Sequence, residues 1–233
     1  MALLPLFKGI DISYHQKAGK VDFSAAKRLG YHFVMLRAGY GKALSQKDKA
    51  FESHYTKARA AGLKVGAYIY SYATTVKEAE QGAECFLSWI DGKKLEYPVA
   101  FDIEDSCQKW LTNAQRTDIA LAFMNKVEAA GYYTMLYASA SWLGSKFDWN
   151  RKYNGVCLSH YDVWCAAYVG SESNIKKYYK GAYGIWQYTS SPIIKAIYKS
   201  RLDHNYAYKD YYSIIRRKGL NPVHREDAVI LEY

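Results

Sequence analysis

The chain has 233 residues, 50% of them hydrophobic, and a formal net charge of +10. That apolar content excludes a disordered chain, and no apolar run reaches the roughly 18 residues a membrane-crossing helix needs. The Lys and Arg excess implies attraction to a polyanion. Its clusters are short, such as Lys176-Lys177 and Arg216-Arg217-Lys218, and no nucleic-acid module accompanies them, so nucleic acid is not expected as a partner.

The predicted elements alternate. Lys8–Ser13 reads as a first strand, after which Asp22 caps a short helix carrying Phe23, Ala26 and Leu29 and ending at Gly30. His32–Ala38 is the second strand, and Phe51, Tyr55 and Ala58 mark the next helix, closed by Gly62. Lys64–Tyr72 is the third strand. Thr75 and Glu78 then have the spacing of a capping box, ahead of a helix that buries Ala79, Ala83, Phe86, Leu87 and Ile90. Val99–Ile103 is a fourth strand, and Ile119, Phe123 and Val127 stripe a helix that closes at Gly131. Thr134–Ser139 and Asp162–Val169 are the fifth and sixth strands, followed by Tyr183–Thr189 and a short run over 201–205. Ser190–Ser200 holds Pro192 and β-branched residues and reads as a hairpin or loop, while Lys209–Lys218 reads as a last helix.

Strand–helix alternation indicates a parallel sheet with helices outside it, and eight strand candidates suggest that the sheet closes. We expect a single α/β barrel of about five β/α units followed by three mainly β strands. One domain is expected over 1–218, with 219–233 an unassigned tail. The four cysteines, at 85, 107, 157 and 165, form no CxxC pair and no zinc-ligand spacing. Cys85 and Cys165 fall in helix and strand patterns as buried thiols, which fits synthesis in a reducing compartment. Met1–Phe7 is apolar but lacks a basic leader. We therefore expect synthesis in the cytoplasm without a signal peptide, and a monomer.

The acidic residues at strand ends carry the candidate chemistry. The fourth strand ends in Asp102-Ile-Glu104-Asp105. Residues two apart on a strand share a face, so Asp102 and Glu104 project side by side, roughly 6–7 Å apart at the backbone. Two carboxylates that close do not both ionise freely, and a raised carboxyl beside an ionised one is the equipment of acid catalysis. Asp11 lies late in the first strand, and Asp203 lies in the last, its neighbour in a closed barrel. Barrel active sites gather at the C-terminal strand ends, so four carboxylates from distant parts of the chain would meet in one mouth. The 24 Tyr and 6 Trp suit a wet cleft that binds sugar.

The ordered motifs Gly9-Ile-Asp-Ile-Ser13, Leu36-Arg-Ala-Gly-Tyr-Gly41, Gly66-Ala-Tyr-Ile-Tyr-Ser-Tyr72, Phe101-Asp-Ile-Glu104, Leu136-Tyr-Ala-Ser139, Trp186-Gln-Tyr188 and Asp203-His-Asn205 resemble family 25 of the glycoside hydrolases, the Chalaropsis-type lysozymes that include many phage endolysins. The resemblance spans about residues 7 to 210 and departs from the usual pattern at Leu202 and His204. It implies a flattened TIM-like barrel, and hydrolysis of the β-1,4 bond between N-acetylmuramic acid and N-acetylglucosamine in bacterial peptidoglycan. It implies Glu104 as general acid and Asp102 as the group that holds the substrate N-acetyl, with Asp11 and Asp203 orienting and tuning the pair. Tyr40, Tyr70, Tyr137, Trp164 and Trp186 are the sugar-contact candidates, Tyr137 and Trp164 foremost. No cofactor and no metal is implied. The positive charge would favour anionic wall polymers, and the place of action would be the wall, after release from the cell. Two rivals remain at this point. One is a sugar-binding barrel without activity, which a turnover assay separates. The other is a hydrolase using a hard cation on the four carboxylates, which sensitivity to EDTA would reveal.

Overall fold

A computed structural model describes residues 4–221. The strands are β1 (Phe7–Ile12), β2 (Phe33–Tyr40), β3 (Lys64–Tyr70), β4 (Val99–Asp102), β5 (Thr134–Ser139), β6 (Lys152–Tyr153), β7 (Val156–Cys157), β8 (Asp162–Ala166), β9 (Ile185–Thr189) and β10 (Asp203–Ala207). Eight of them close a barrel in the order β1-β10-β9-β8-β5-β4-β3-β2, and β6 and β7 form a separate hairpin. From β1 through β9 the barrel strands run parallel. Only β10 is antiparallel to both neighbours, and it closes the barrel against β1.

Five helices follow the first five strands: α1 (Phe23–Arg28), α2 (Phe51–Ala60), α3 (Val76–Ile90), α4 (Asn113–Ala129) and α5 (Ala140–Ser145). Two more follow the later strands, α6 (Glu172–Ile175) and α7 (Tyr211–Lys218). Five β/α units and a mainly β remainder therefore stand as read from the sequence. α5, α6 and the β6–β7 hairpin were not anticipated, being too short for periodicity to register. The boundaries differ for local reasons. Val99–Ile103 loses its last residue because the pairing with β3 and β5 ends at Asp102, leaving Ile103 a 3.4 Å bond to Tyr137 O. The Thr75/Glu78 box is half formed: the Thr75 hydroxyl accepts the Glu78 N–H at 3.2 Å, but the Glu78 carboxylate takes the N–H of Thr74 at 2.8 Å and pairs with Lys42.

Alternation along the strands sorts side chains into two cores. Outward residues such as Ile10, Val34, Leu36, Val65, Phe101 and Cys165 pack under the helices. Inward residues Phe33, Met35, Ala100, Met135, Trp164 and Ile185 fill the barrel. Glycine makes room inside: a Cβ on Gly9 would lie 2.3 Å from the Phe33 ring, and one on Gly66 would lie 2.4 Å from Met35 Sδ. At the N-terminal end of the strands the Phe33 and Tyr97 rings stack at 4.3 Å, and Tyr211 and Ile215 of α7 complete the floor. Asn221, which the sequence reading assigned to the tail, is buried. It accepts the Tyr133 N–H and donates to Leu95 O and Tyr97 O, so the packed body reaches at least residue 221. Residues 222–233 of that tail lie outside the described residues.

All four cysteines are free thiols, with Cys85 and Cys165 buried as read. Among the described residues no helix is long and apolar enough to cross a membrane.

Candidate active site

The inward faces of the parallel barrel strands, followed past the packed core to their C-terminal ends, and the N-terminal end of the antiparallel β10 build one cleft of about 460 Å³. Trp164 lies beneath it, 1% exposed, its Nε1–H donating to Asn205 Oδ1 at 2.8 Å. Tyr68 and Tyr137 stand edge-on to the indole, at 5.8 and 4.6 Å between centroids. Around this aromatic base sit Asp11, Asp102, Glu104 and Asp203, so four acids separated by up to nearly the whole chain line one cavity.

Two of the acids face each other across the antiparallel seam, where Asp11 and Asp203 are register partners. Asp11 is 4% exposed, and its Oδ2 accepts from Gln187 Nε2 and Asn205 Nδ2, each at 2.8 Å. Burial raises its pKa, and the Asp203 charge raises it further against the pull of the two amides. Burial raises Asp203 as well. The pair therefore holds a proton well above the usual carboxylate range.

The other two acids belong to the end of β4. Asp102 is the last strand residue and is 6% exposed, with no hydrogen-bond partner for its Oδ1 among the described residues. Burial pushes its pKa well up, followed by the charges of Glu104 and Asp11, with Arg37 opposing. Glu104 lies just beyond the strand, where its Oε2 accepts the backbone N–H of Ser139 at 2.7 Å. Burial raises it too, and the Ser139 bond restrains the rise. This arrangement can keep one proton on a carboxyl pair near neutral pH, as acid–base chemistry requires.

The loops that carry these groups are tied together. Gln108, fully buried, donates to Ser71 O and Ala73 O after β3 and accepts the Asp105 N–H after β4. Tyr70 donates to Asp105 Oδ2 at 2.9 Å.

The sugar-contact candidates divide by strand parity. Tyr70, Tyr137 and Trp164 point inward and line the cleft; Tyr137 donates to Gln187 Oε1 at 3.1 Å. Tyr40 lies past an irregularity in the β2–β3 register and lines an adjoining cavity instead. Trp186 is not brought to the site: its strand neighbour Gln187 points in, so Trp186 points out. It is buried under the helical layer, with Nε1 donating to Ala167 O at 2.8 Å. Sequence reasoning passed over Gln187 and Asn205, each inside a quoted motif, and Tyr68, Arg37 and Tyr168. Counting by twos from Asp203 reaches Asn205; Arg37, Tyr68 and Gln187 lie on β2, β3 and β9, where no acid marks the inward face. His204 likewise points outward, its Nδ1 paired with the Tyr31 hydroxyl at 2.8 Å, so the departure from the family pattern there does not reach the cleft. Among the described residues no group of three or more His, Cys, Asp or Glu side chains is arranged to hold a metal ion.

Comparison with known proteins gives a consistent neighbourhood. Residues 10–197, well over half of the chain, match the family described as Glycosyl hydrolases family 25. An autolytic lysozyme of Clostridium acetobutylicum is 38% identical over 97 residues, which is 42% of this chain and 28% of that protein. Lysozyme M1 of Streptomyces globisporus is 27% identical over 197 residues, 79% of this chain and 62% of that one. The chain thus spans less than two thirds of the length of either relative. Among solved structures, the CTP1L endolysin superposes with a TM-score of 0.74 at 26% identity, covering 91% of this chain and 70% of the endolysin. The modular autolysin LytC of Streptococcus pneumoniae, solved with a synthetic peptidoglycan ligand, gives 0.68 at 26% identity over 86% of this chain and 46% of its own.

Proposed function

The chain belongs to glycosyl hydrolases family 25, and from that premise we propose that it is a peptidoglycan hydrolase, a lysozyme that cleaves the β-1,4 bond from N-acetylmuramic acid to N-acetylglucosamine. The observation that carries the reading is the pair of buried Asp102 and half-buried Glu104, set together in one cleft above an aromatic base with both carboxyls pushed upward.

The proposed mechanism is substrate-assisted. Asp102 and Glu104 spring from one strand end and so approach a bound sugar from the same side. A carboxylate nucleophile and an acid on opposite faces of the glycosidic bond are not what such a pair offers. The N-acetyl group can supply the nucleophile itself. Its N–H donates to Asp102, which favours the ionised form of that carboxyl. The Asp102 charge then keeps the proton on Glu104. The acetamido oxygen attacks the anomeric carbon, the bond to the leaving oxygen breaks, and Glu104 hands its proton to that oxygen. Water then opens the cyclic intermediate, giving its proton back to the Glu104 carboxylate. Asp11, held by Gln187 and Asn205, and its register partner Asp203 hold negative charge near the cation-like sugar. Tyr137, backed by the buried Trp164, offers the apolar surface for the ring. The proposed place of action is the bacterial cell wall, with anionic wall polymers as secondary attractants for the +10 chain.

Digestion of purified peptidoglycan, with products read by reducing-end labelling and mass spectrometry, tests this. New muramic acid ends that vanish in Glu104→Gln are expected. New glucosamine ends would refute the bond assignment, and binding without cleavage would leave an inactive sugar-binding barrel. Proton NMR of the first-formed anomer tests the mechanism: β is expected, and α would exclude substrate assistance.

A further inference from the structure

A second cavity, of about 750 Å³, opens beside the carboxylate cleft and shares His15, Arg37 and Tyr70 with it. Its polarity is opposite. The carboxylate cleft carries Asp11, Asp102, Glu104 and Asp203 against Arg37 and Arg201, whereas the adjoining lobe carries Arg37, Lys49 and Lys47, the last paired with Glu52 at 2.6 Å, against the single lining acid Asp48. Arg37 stands at the boundary. Its side chain is only 10% exposed, its Nε is tied to Asp48 Oδ2 at 2.9 Å, and its Nη2 has no hydrogen-bond partner among the described residues. Asp48 is already committed, accepting from the N–H groups of Tyr14 and Ala50 as well. A guanidinium held on one edge and left open on the other is prepared for a second oxygen anion. The Tyr14 ring lies under both Arg37 and Lys49, at 4.8 and 4.9 Å, which fixes the two cations along one wall.

Resting on the lysozyme reading above, we propose that this lobe is a carboxylate-binding subsite, in which Arg37 and Lys49 hold an acidic substituent of the glycan strand beside the bond to be cleaved. Muramic acid carries a lactyl carboxyl, free in bare glycan and amide-linked to an acidic peptide stem in the intact polymer, so either source presents the same chemistry. Those acids of the neighbouring lobe that stay ionised repel such a group, so a strand bearing one binds in a preferred register: carboxylate over Arg37, neutral N-acetyl over Asp102.

Affinity measured on an uncleaved strand separates this subsite from the catalytic reading. Glu104→Gln protein is titrated by calorimetry with three glycans: peptide-bearing strands, strands freed of peptide so that the lactyl carboxylates are exposed, and the latter with those carboxylates converted to methyl amides. Amidation is expected to weaken binding about tenfold, the loss of one charge-assisted contact. Lys47→Gln/Lys49→Gln added to Glu104→Gln is expected to shrink that ratio towards one, whereas Lys176→Gln/Lys177→Gln, which removes the same charge elsewhere, leaves it intact. Tighter binding of peptide-bearing than of bare strands assigns the stem carboxylates as the source; the reverse assigns the lactyl group. Equal affinity for free and amidated strands would overturn the subsite, and so would an equal loss in both double variants, which would reduce it to net charge. Failure of the wild type to cleave any strand would count against the lysozyme reading alone.

Discussion

Glu96, in the segment that leads into β4, and Asp102, at the end of that strand, are both almost fully buried, at 3% and 6% exposure. Their surroundings differ in kind. Glu96, at the floor, accepts from Arg59 and from Lys64, the latter at 3.0 Å. Burial pushes its carboxyl up, and these two cations outweigh the push and leave it below the usual range. Asp102, at the mouth, has an Oδ1 with no partner among the described residues and acids for neighbours, and its carboxyl sits well above that range. A carboxylate satisfied for stability thus leads into the strand that ends in one left unsatisfied. The second is costly to ionise, a cost that a hydrogen-bond donor on the proposed substrate would relieve.

The largest effects should come from the mouth. Glu104→Gln is expected to lower kcat by about 10²–10⁴-fold, the usual worth of a general acid, while circular dichroism stays unchanged and the melting temperature does not fall. Asp102→Asn is expected to lose less activity and to raise the melting temperature, because an amide needs no bound proton to stay neutral in that site. An Asp102→Asn protein that melts lower than wild type would break the comparison with Glu96.

The floor should show the reverse. Glu96→Gln leaves two cations short of a partner and is expected to cost about 1–3 kcal/mol in a denaturant titration, with kcat and KM retained. A loss of kcat would mean that the floor reaches the site.

Much of this contrast was legible beforehand. Asp102 and Glu104 stood out because acids ending an apolar strand are conspicuous, and the alternation of strands and helices gave the closed sheet that brings Asp11 and Asp203 to them. Trp186 was misassigned to the cleft because aromatic type was weighed ahead of parity: with Gln187 inward, its neighbour faces the helices. Glu96 gave no local signal, since its partners come from α2 and β3, more than 30 residues earlier in the chain. The same holds for Arg37, which read as part of an ordinary strand until the fold set Asp48 against it.

A smaller effect lies in the pH dependence of stability, where the two carboxylates pull in opposite directions. Glu96 has a folded pKa below its unfolded one, so its contribution is present above the unfolded value and lost as pH falls through the folded one. Asp102 has a folded pKa above its unfolded one. Its contribution is present below the unfolded value, about 4, and lost as pH rises through the folded one. Melting temperature should therefore peak on the acid side of neutrality. Asp102→Asn should flatten the decline towards neutral pH, and Glu96→Gln the fall at low pH. A wild-type curve still rising through pH 7 would contradict the assignment of Asp102.

Trp186→Phe sharpens the contrast at its finest grain, because Trp186 and Gln187 are consecutive on one strand and face opposite sides of the wall. The indole donates to Ala167 O and is buried among apolar neighbours, so its loss is expected to cost about 1–2 kcal/mol of stability through a missing hydrogen bond and a partly filled space. KM for peptidoglycan should not move. Gln187→Leu, one residue on, should leave Asp11 with one amide donor instead of two and raise its pKa further, visible as a displaced limb in the pH profile of kcat/KM. If Trp186→Phe raised KM while Gln187→Leu left the profile unchanged, strand parity would be the wrong guide to the mouth of this barrel, and the inward set derived from it would have to be redrawn.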